Sequence, residues 1–290
     1  MSLTTPSRKM RMPTSTAPAE RTTRIPFSQT RVSTPVLGVI GILAFIAIWE
    51  LASRLELVNP LYLPPFSEVA ATVVQVLIGD QYRVQFWTAL GNTMLGWSVG
   101  LVISLVLGIV AGLIIGSNRW VREFTHSTVE FLRPIPSVGL IPIAIVIFGV
   151  RPTATIAIVV WACFWVVLIH VVYGVTDVDP VAESTARSYG FGPFARARYV
   201  VWPTLLPYLM TGLRLSGTIA LVVAITIEIV VQAPGIGQMI AQYQSAGNAK
   251  VVYALALLAG VVGLLINLAL RRLENSVLSW HPSVRGEVVL

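Results

Sequence analysis

The sequence predicts an all-α, polytopic membrane protein with about six transmembrane helices, and two observations support this fold class. Of the 290 residues, 55% are hydrophobic and only 11% are charged, whereas a soluble domain carries about 25% charged residues. The chain therefore lacks the polar side chains needed to cover a soluble globule. Six apolar runs also come close to or exceed the roughly 20 residues that cross the hydrocarbon layer; they cover 35–53, 88–116, 129–149, 153–175, 205–231 and 251–270.

The two ends of the chain differ in composition from the region between them. Residues 1–33 are rich in Ser, Thr, Pro and Arg, which predicts a disordered N-terminal tail because such a segment has no apolar core to bury. Residues 34–272 form the predicted transmembrane domain, and residues 273–290 form a predicted C-terminal tail.

The basic residues predict the orientation in the membrane. Fifteen of them fall on one predicted side and four on the other, and the four are Arg54, Arg83, Arg151 and Lys250. Because cytoplasmic loops carry the excess of Lys and Arg, we expect a protein of the cell (inner or plasma) membrane with both termini in the cytoplasm. The net charge of +7 lies in tails and short loops, so no nucleic-acid partner is predicted.

Two segments are predicted on the outer side. Ser67 can cap a helix that ends at Gly79, because its hydroxyl can accept a free backbone N–H. The turn that begins at Ala233 is expected to break the fifth membrane helix, so that residues 232–250 form a second outer segment.

The polar insert 176–203 predicts two short cytoplasmic helices. Asp179 is a good N-cap, Pro180 fits the first helical position and Gly190 fits the position after the C-cap, so one helix covers about 180–189. We expect a second helix to start at Pro193 and to end at Pro203. Two capped helices would form a rigid elbow, and its small-residue face, open to a partner, would consist of Ala182, Ala186 and Gly190.

Small residues recur at every fourth position of the second run. Residues four apart share one helix face, where glycine lets another helix approach closely. The stripe is either a seam along which helices move or a site of static packing, and such stripes are frequent in polytopic bundles. Its members are Gly96, Gly100, Ser104, Gly108, Gly112 and Gly116.

Four residues are candidates for lining a translocation path. Pro134 and Pro136 disrupt helical hydrogen bonding, so their segment should face protein or a water-filled path. Arg214 and Glu228 are ionisable groups within an apolar run, and such groups normally face the bundle interior or water. The alternatives are an irregular helix start for the prolines, snorkelling or loop capping for Arg214, and acceptance of backbone N–H groups from the outer segment for Glu228.

The sequence offers no enzymatic or metal-binding motif. The single Cys163 excludes an internal disulfide, and the three histidines lack metal-ligand spacing. No phosphate-binding G-x-x-x-x-G-K-[ST] motif occurs. We therefore expect a chain that binds no metal or cofactor and is not an enzyme.

The insert resembles the cytoplasmic coupling loop of ATP-binding-cassette importer permeases. Ala186, Gly190 and Pro203 have the spacing of that family's motif, and Val178-Asp179-Pro180 and LLPYLMTGLRL around it are similar as well. The family's glutamate falls on Ser184, while Glu183 lies one position earlier. One position is about 100° around a helix.

The stretches LPPFSEV, FLRPIPSVGLIPIAIVIFG, GLRLSGTIALVVAITIEIV and PGIGQMI resemble the branch that imports sulfonates, taurine, nitrate and related small anions. This resemblance implies a six-helix core, a homodimer, two copies of a soluble subunit that binds ATP and Mg, and an extracytoplasmic solute-binding protein. It also implies that the helix 180–189 docks into a groove of the ATP-binding subunit.

An ion-coupled secondary transporter is the alternative function. Such carriers often show two repeated halves with broken helices at the midplane. The sequence shows no clear repeat and few midplane carboxylates, which favours the ATP-driven importer.

Overall fold

The computed structural model describes residues 34–280. The tail predicted for residues 1–33, and residues 281–290 of the predicted C-terminal tail, lie outside that range. Every regular element within the described range is a helix. The α-helices are α1 Thr34–Arg54, α2 Phe66–Ile78, α3 Arg83–Ser117, α4 Arg119–Leu132, α5 Ile141–Phe148, α6 Pro152–Thr176, α7 Pro180–Ser188, α8 Pro193–Arg196, α9 Trp202–Val231, α10 Ile236–Ser245 and α11 Ala249–Val277.

The chain divides into two compact units, residues 1–45 and 46–290. In the first unit the structure describes the start of α1, whose apolar side chains, such as Leu37, Ile42 and Phe45, are exposed. The second unit contains the remaining helices, including α11, which continues through residues 273–277 of the predicted tail.

Five helices within residues 34–280 are long and apolar enough to cross a membrane. They are α1, α3, α6, α11 and a continuous helix, Pro193–Val231, that α8, a π-helical turn and α9 form together. These helices confirm five of the six predicted spans.

The remaining predicted span, 129–149, is not one helix. Helix α4 and the segment Ser137–Phe148, a 3₁₀ turn followed by α5, meet at an angle of 81°. Pro134 and Pro136 lie in the break. Proline has no N–H to continue the helical hydrogen bonds. Arg133, before Pro134, is still helical, whereas Pro136 is extended with φ −62° and ψ 122°, so the chain turns within this break. Counting the bent pair as one span gives the six that the sequence predicts.

Pro203 does not end the second helix of the insert, contrary to the prediction. The helix passes through Pro203 because residues Ala197–Val201 form a π-helical turn. In that turn the Trp202 N–H donates to the Ala197 carbonyl, five residues back. A local π turn re-pairs the backbone near a proline, so the ring is accommodated without a break.

The sequence predicts Ser67 as the N-cap of α2, but the structure shows that it is not. Pro65 occupies the N-cap position and Ser67 lies inside the first turn. The Ser67 N–H and hydroxyl donate to the Glu50 carboxylate at 3.0 and 2.9 Å. A carboxylate from α1 therefore accepts the free N–H at the start of α2, and the predicted end of the helix at Gly79 is confirmed.

Helices α3 and α6 pack along the predicted stripe of small residues. A Cβ atom added at Gly100, Gly108, Gly112 or Gly116 would lie 2.6–2.8 Å from a valine of α6, and one at Gly96 would lie 3.3 Å from Thr155. Each partner follows its glycine by 59 positions, so the two helices run parallel. The pairs with valine are Gly100 with Val159, Gly108 with Val167, Gly112 with Val171, and Gly116 with Val175.

This geometry supports close packing as the role of the stripe, and movement along the seam stays a prediction. Gly112→Ala should lower the free energy of unfolding by about 1–3 kcal/mol, the usual cost of overpacking. A Cβ there would lie 2.6 Å from Val171 and 3.1 Å from the Leu168 carbonyl oxygen. Thermal unfolding in detergent measures the loss, and adding Val171→Ala should restore part of it.

The matched control for this prediction is Gly91→Ala. Gly91 lies in the same helix, and no atom lies within 4 Å of a Cβ built there. Equal melting temperatures for Gly91→Ala and Gly112→Ala would show that the contact between α3 and α6 is not tight.

Candidate functional site

Local sequence positions both ends of α7. The Asp179 carboxylate accepts the Val181 N–H at 2.8 Å, as predicted for an N-cap, and Pro180 occupies the first helical position. At the other end Gly190 has φ +75°. The Phe191 N–H donates to the Ala186 carbonyl at 3.0 Å and the Gly190 N–H to the Arg187 carbonyl at 2.9 Å. These two bonds form a Schellman motif, so the predicted helix end is confirmed.

Glu183 ties α7 to α8. Its carboxylate accepts a hydrogen bond from Arg187 at 2.6 Å and lies 3.2 Å from an Arg196 nitrogen. The Arg187 hydrogen bond holds the pKa of Glu183 below its ordinary value. Glu183 is therefore ionised at neutral pH and is already paired within its own chain.

A third contact joins the loop to α9. The Tyr208 hydroxyl donates to the Asp177 carboxylate at 2.7 Å. Because α9 continues α8 through the π turn, the loop 176–203 is fixed to a membrane helix both by a hydrogen bond and by an unbroken helical backbone.

The exposed face of α7 differs from the predicted one. Ala186 is buried within this chain, with 7% of its surface exposed, so it packs inward and is not open to a partner, although Ala182 is exposed. A shallow depression of about 370 Å³ lies instead on the face of Val181, Ser184 and Thr185. Of the three residues of the predicted face, Ala186 is buried while Ala182 and Gly190 are exposed, and α7 packs against α8 and the π turn that follow it.

Glu228 lies at the junction of three helices. It is 1% exposed, and its carboxyl group accepts the Thr93 hydroxyl of α3 at 2.8 Å and the Gly237 N–H of α10 at 3.0 Å. The Thr93 hydroxyl in turn accepts the Ile236 N–H at 2.9 Å. Of the two predicted roles, these contacts match the acceptance of backbone N–H groups from the outer segment, which starts after α9 ends at Val231.

Arg214 faces α11. Its guanidinium lies 3.2 Å from the Glu274 carboxylate, which is 16% exposed. This ion pair joins the middle of α9 to the end of α11, a contact that neither snorkelling nor loop capping describes.

A cavity of about 760 Å³ lies between the ends of α3, α4 and α6. Pro134 lines it, while Pro136, Arg214 and Glu228 do not. The proposed path residues are therefore not brought together in one place. The cavity side of α4 carries Arg122, His126 and Arg133.

No group of three or more His, Cys, Asp and Glu side chains within residues 34–280 could hold a metal ion. Among the described residues, His126 pairs with Glu130 at 3.5 Å, and His170 Nδ1 lies 2.7 Å from the Val166 carbonyl. The buried Cys163 donates to the Ser216 carbonyl at 3.3 Å.

Sequence reasoning missed the partners rather than the residues. Thr93, Glu274 and Arg196 complete the contacts of Glu228, Arg214 and Glu183, yet none stands out in the sequence. Arg122 and Arg133 are among the basic residues that predict the membrane orientation. They are 11 positions apart, about three helical turns, and this spacing indicates that they share one face of the helix.

Comparisons with known proteins agree with this architecture. Residues 104–279 match the family described as binding-protein-dependent transport system inner membrane component. The taurine transport system permease protein TauC of Escherichia coli is 26% identical over 253 residues, which cover 86% of this chain and 90% of that protein. The bicarbonate transport system permease protein CmpB of Synechococcus elongatus is 26% identical over 252 residues, which cover 84% and 89%.

A solved structure shows the same fold. It is a bacterial ABC transporter involved in the import of the acidic polysaccharide alginate, with a TM-score of 0.60, 15% identity, and coverage of 83% of this chain and 96% of that one. The family match spans more than half of the chain and includes the capped loop between α6 and α9. The chain therefore belongs to the inner-membrane components of binding-protein-dependent transport systems, the multi-pass permeases of ABC transporters.

Proposed function

We propose that this chain is the permease subunit of an ATP-driven importer for a small anionic solute, such as a sulfonate, taurine or bicarbonate. It forms a homodimer in the cell membrane, with both termini in the cytoplasm. Two copies of a separate ATP-binding subunit, which bind ATP and Mg, contact the loop 176–203. An extracytoplasmic binding protein delivers the solute from the other side.

The rigidity of the loop 176–203 is the main support for this proposal. Helix α7 is capped at both ends, Glu183 clamps it to α8, and α8 continues without a break into the 39-residue helix Pro193–Val231. A force applied to α7 by a soluble partner is therefore transmitted to a membrane helix instead of being absorbed by a flexible linker.

The exposed face of α7 supports a docking role for the loop. Val181 and Tyr189 are 70% and 80% exposed, and the adjoining depression is lined by small hydroxyl side chains. Helix-in-groove recognition uses such a face of a short helix. Ser184, at the position of the family's glutamate, lies on this face, whereas Glu183 is engaged by Arg187 and Arg196.

The relatives support the proposed solute class. The curated relatives named above are described as permeases for taurine and for bicarbonate, and both compounds carry an anionic oxygen-rich group. The basic lining of the cavity beside α4 supports the same class.

Transport in vesicles tests the proposal. The chain is purified from its host with its ATP-binding subunit, reconstituted with the binding protein, and assayed for labelled taurine and bicarbonate uptake while ionophores collapse all ion gradients. We expect uptake that requires ATP. Uptake that does not require ATP and is driven by an imposed ion gradient would instead indicate an ion-coupled secondary transporter.

A further inference from the structure

The cavity beside α4 is lined by two different kinds of wall. One wall is apolar and comes from α3 and α6, with Ile115, Leu168 and Val172. The other comes from α4 and carries Arg122, His126 and Arg133, with Glu130 as the single carboxylate. His126 lies 3.5 Å from Glu130. The two arginines outnumber the one carboxylate, so this wall has a net positive charge.

The two faces of α4 point in opposite directions. Trp120, Phe124 and Phe131 share one face and are 80%, 87% and 74% exposed. Arg122 and Arg133 lie about half a turn around the helix, on the face that lines the cavity. In a membrane protein an apolar face suits lipid, while ionisable groups face a water-filled space. The aromatic face is therefore suited to the bilayer, and the basic face to an aqueous cavity.

The wall formed by α6 continues beyond the cavity. Trp165 and Trp161 lie four and eight positions before Ile169, which lines the cavity, so all three share one helix face. At 1.5 Å per residue, the two tryptophans lie about 6 and 12 Å further along the helix. Trp165 is 9% exposed, and within residues 34–280 neither buried indole N–H has a hydrogen-bond partner.

An unpaired N–H group is costly in a membrane, because no water is present to satisfy it. Two such donors lie in line with a positively charged cavity. Anionic oxygens are the acceptors that suit both features: arginine binds them strongly, and an indole N–H can only donate.

We propose that this cavity is a vestibule for small oxyanions, entered past Arg122 and Arg133, and that Trp161 and Trp165 provide hydrogen-bond donors deeper along the same wall. The ligand class is a sulfonate, a carboxylate or bicarbonate. The role in transport rests on the proposed function, whereas the charge selectivity of the cavity does not.

Thiol labelling of the purified chain in nanodiscs tests the selectivity without ATP or a partner. Val129→Cys and Thr176→Cys each place a thiol in the cavity, and the native Cys163 is fully buried. Each variant reacts with an anionic and with a cationic methanethiosulfonate. We expect faster reaction with the anionic reagent, because a cleft lined by one sign of charge raises the local counter-ion concentration about tenfold or more.

Charge removal identifies the groups responsible. Arg122→Gln with Arg133→Gln should remove the preference for the anionic reagent. Arg119→Gln, on the same helix but paired with Glu123 at 2.7 Å and outside the cavity lining, should leave it unchanged. Phe124→Cys, on the opposite face of α4, provides a thiol that should show no such preference.

Three results would overturn the proposal. Equal rates for the two reagents in the cavity would exclude a charge-selective vestibule. No reaction with either reagent would indicate that a lipid fills the space, and a disulfide between two copies through the thiol introduced at position 129 would indicate a second chain. None of these results bears on whether ATP drives uptake.

The deeper donors are tested with Trp161→Phe and Trp165→Phe, which keep a six-membered aromatic ring and remove the N–H together with the five-membered ring that carries it. Once ATP-driven uptake of taurine is established, we expect the double variant to raise the KM for taurine uptake several-fold. An unchanged KM would exclude the two indoles from the anion site.

Discussion

Gly190→Val is expected to uncouple ATP hydrolysis from solute uptake, and Gly192→Val in the same loop is expected to leave both unchanged. Gly190 has φ +75°, a backbone conformation that a β-branched residue resists strongly. No atom lies within 4 Å of a Cβ built at either glycine. The predicted effect at Gly190 therefore comes from the backbone conformation and not from a collision.

The loss of this conformation would break the Schellman motif. The hydrogen bonds from Phe191 to Ala186 and from Gly190 to Arg187 both require the left-handed turn, and Arg187 holds one side of Glu183. Strain at such a position costs about 1–3 kcal/mol, enough to loosen the elbow between α7 and α8. A loose elbow would absorb the motion of the ATP-binding subunit.

The measurement compares ATP hydrolysis with labelled-solute uptake in the same vesicles. For Gly190→Val we expect hydrolysis to continue while uptake falls about tenfold, the change that 1.4 kcal/mol produces. Gly190→Asn should retain more uptake, because asparagine tolerates the left-handed region. Gly192 is the matched control, since it caps α8 with φ −64°. Full uptake in Gly190→Val would contradict the model of a rigid coupling elbow.

Features that depend on neighbouring residues could be predicted from the sequence. The N-cap at Asp179, the left-handed Gly190 and the end of α2 at Gly79 all follow from local chemistry, and the structure has each of them. Membrane spans are equally local, because length and hydropathy decide them. The six predicted runs therefore matched, except where two prolines bend the third.

Features that depend on a distant partner could not be predicted. Ala186 packs inward although its spacing marks a bare face, and Ser67 bonds Glu50, 17 positions away, instead of capping its own helix. The helix continues through Pro203 because the preceding π turn keeps the backbone N–H and carbonyl groups hydrogen-bonded. The glycine stripe of α3 was visible, but its partner on α6 emerges only from the folded chain.

At the carboxyl group of Glu228, a path residue and a structural residue would respond differently to substitution. The structure gives this group the acceptor role in a buried junction, between Thr93 of α3 and the start of α10. The position also places a carboxyl group at a helix N-terminus, where it is favourable. Space is tight, since a Cβ added at Gly237 would lie 2.6 Å from the Glu228 Cβ.

Glu228→Ala should therefore destabilise the junction before it affects solute movement. It leaves the Thr93 hydroxyl and the Gly237 N–H without an acceptor, at about 1–3 kcal/mol for each buried unsatisfied group. We expect a melting temperature several degrees lower and less folded protein in the membrane, with uptake reduced in proportion. Thr93→Val should act in the same direction, because it removes the donor to Glu228 and the acceptor of the Ile236 N–H.

Glu228→Gln separates the two roles, because the amide keeps the shape and an acceptor oxygen but cannot carry a negative charge. If acceptance of hydrogen bonds is the role, this variant keeps more of its stability than Glu228→Ala, and uptake per folded molecule stays close to that of the parent. If the charge serves the solute path, Glu228→Gln loses uptake at an unchanged melting temperature. The buried position and the two donors that converge on its Oε2 atom favour the first result, since a group held by donors from two helices has little freedom to guide a passing anion.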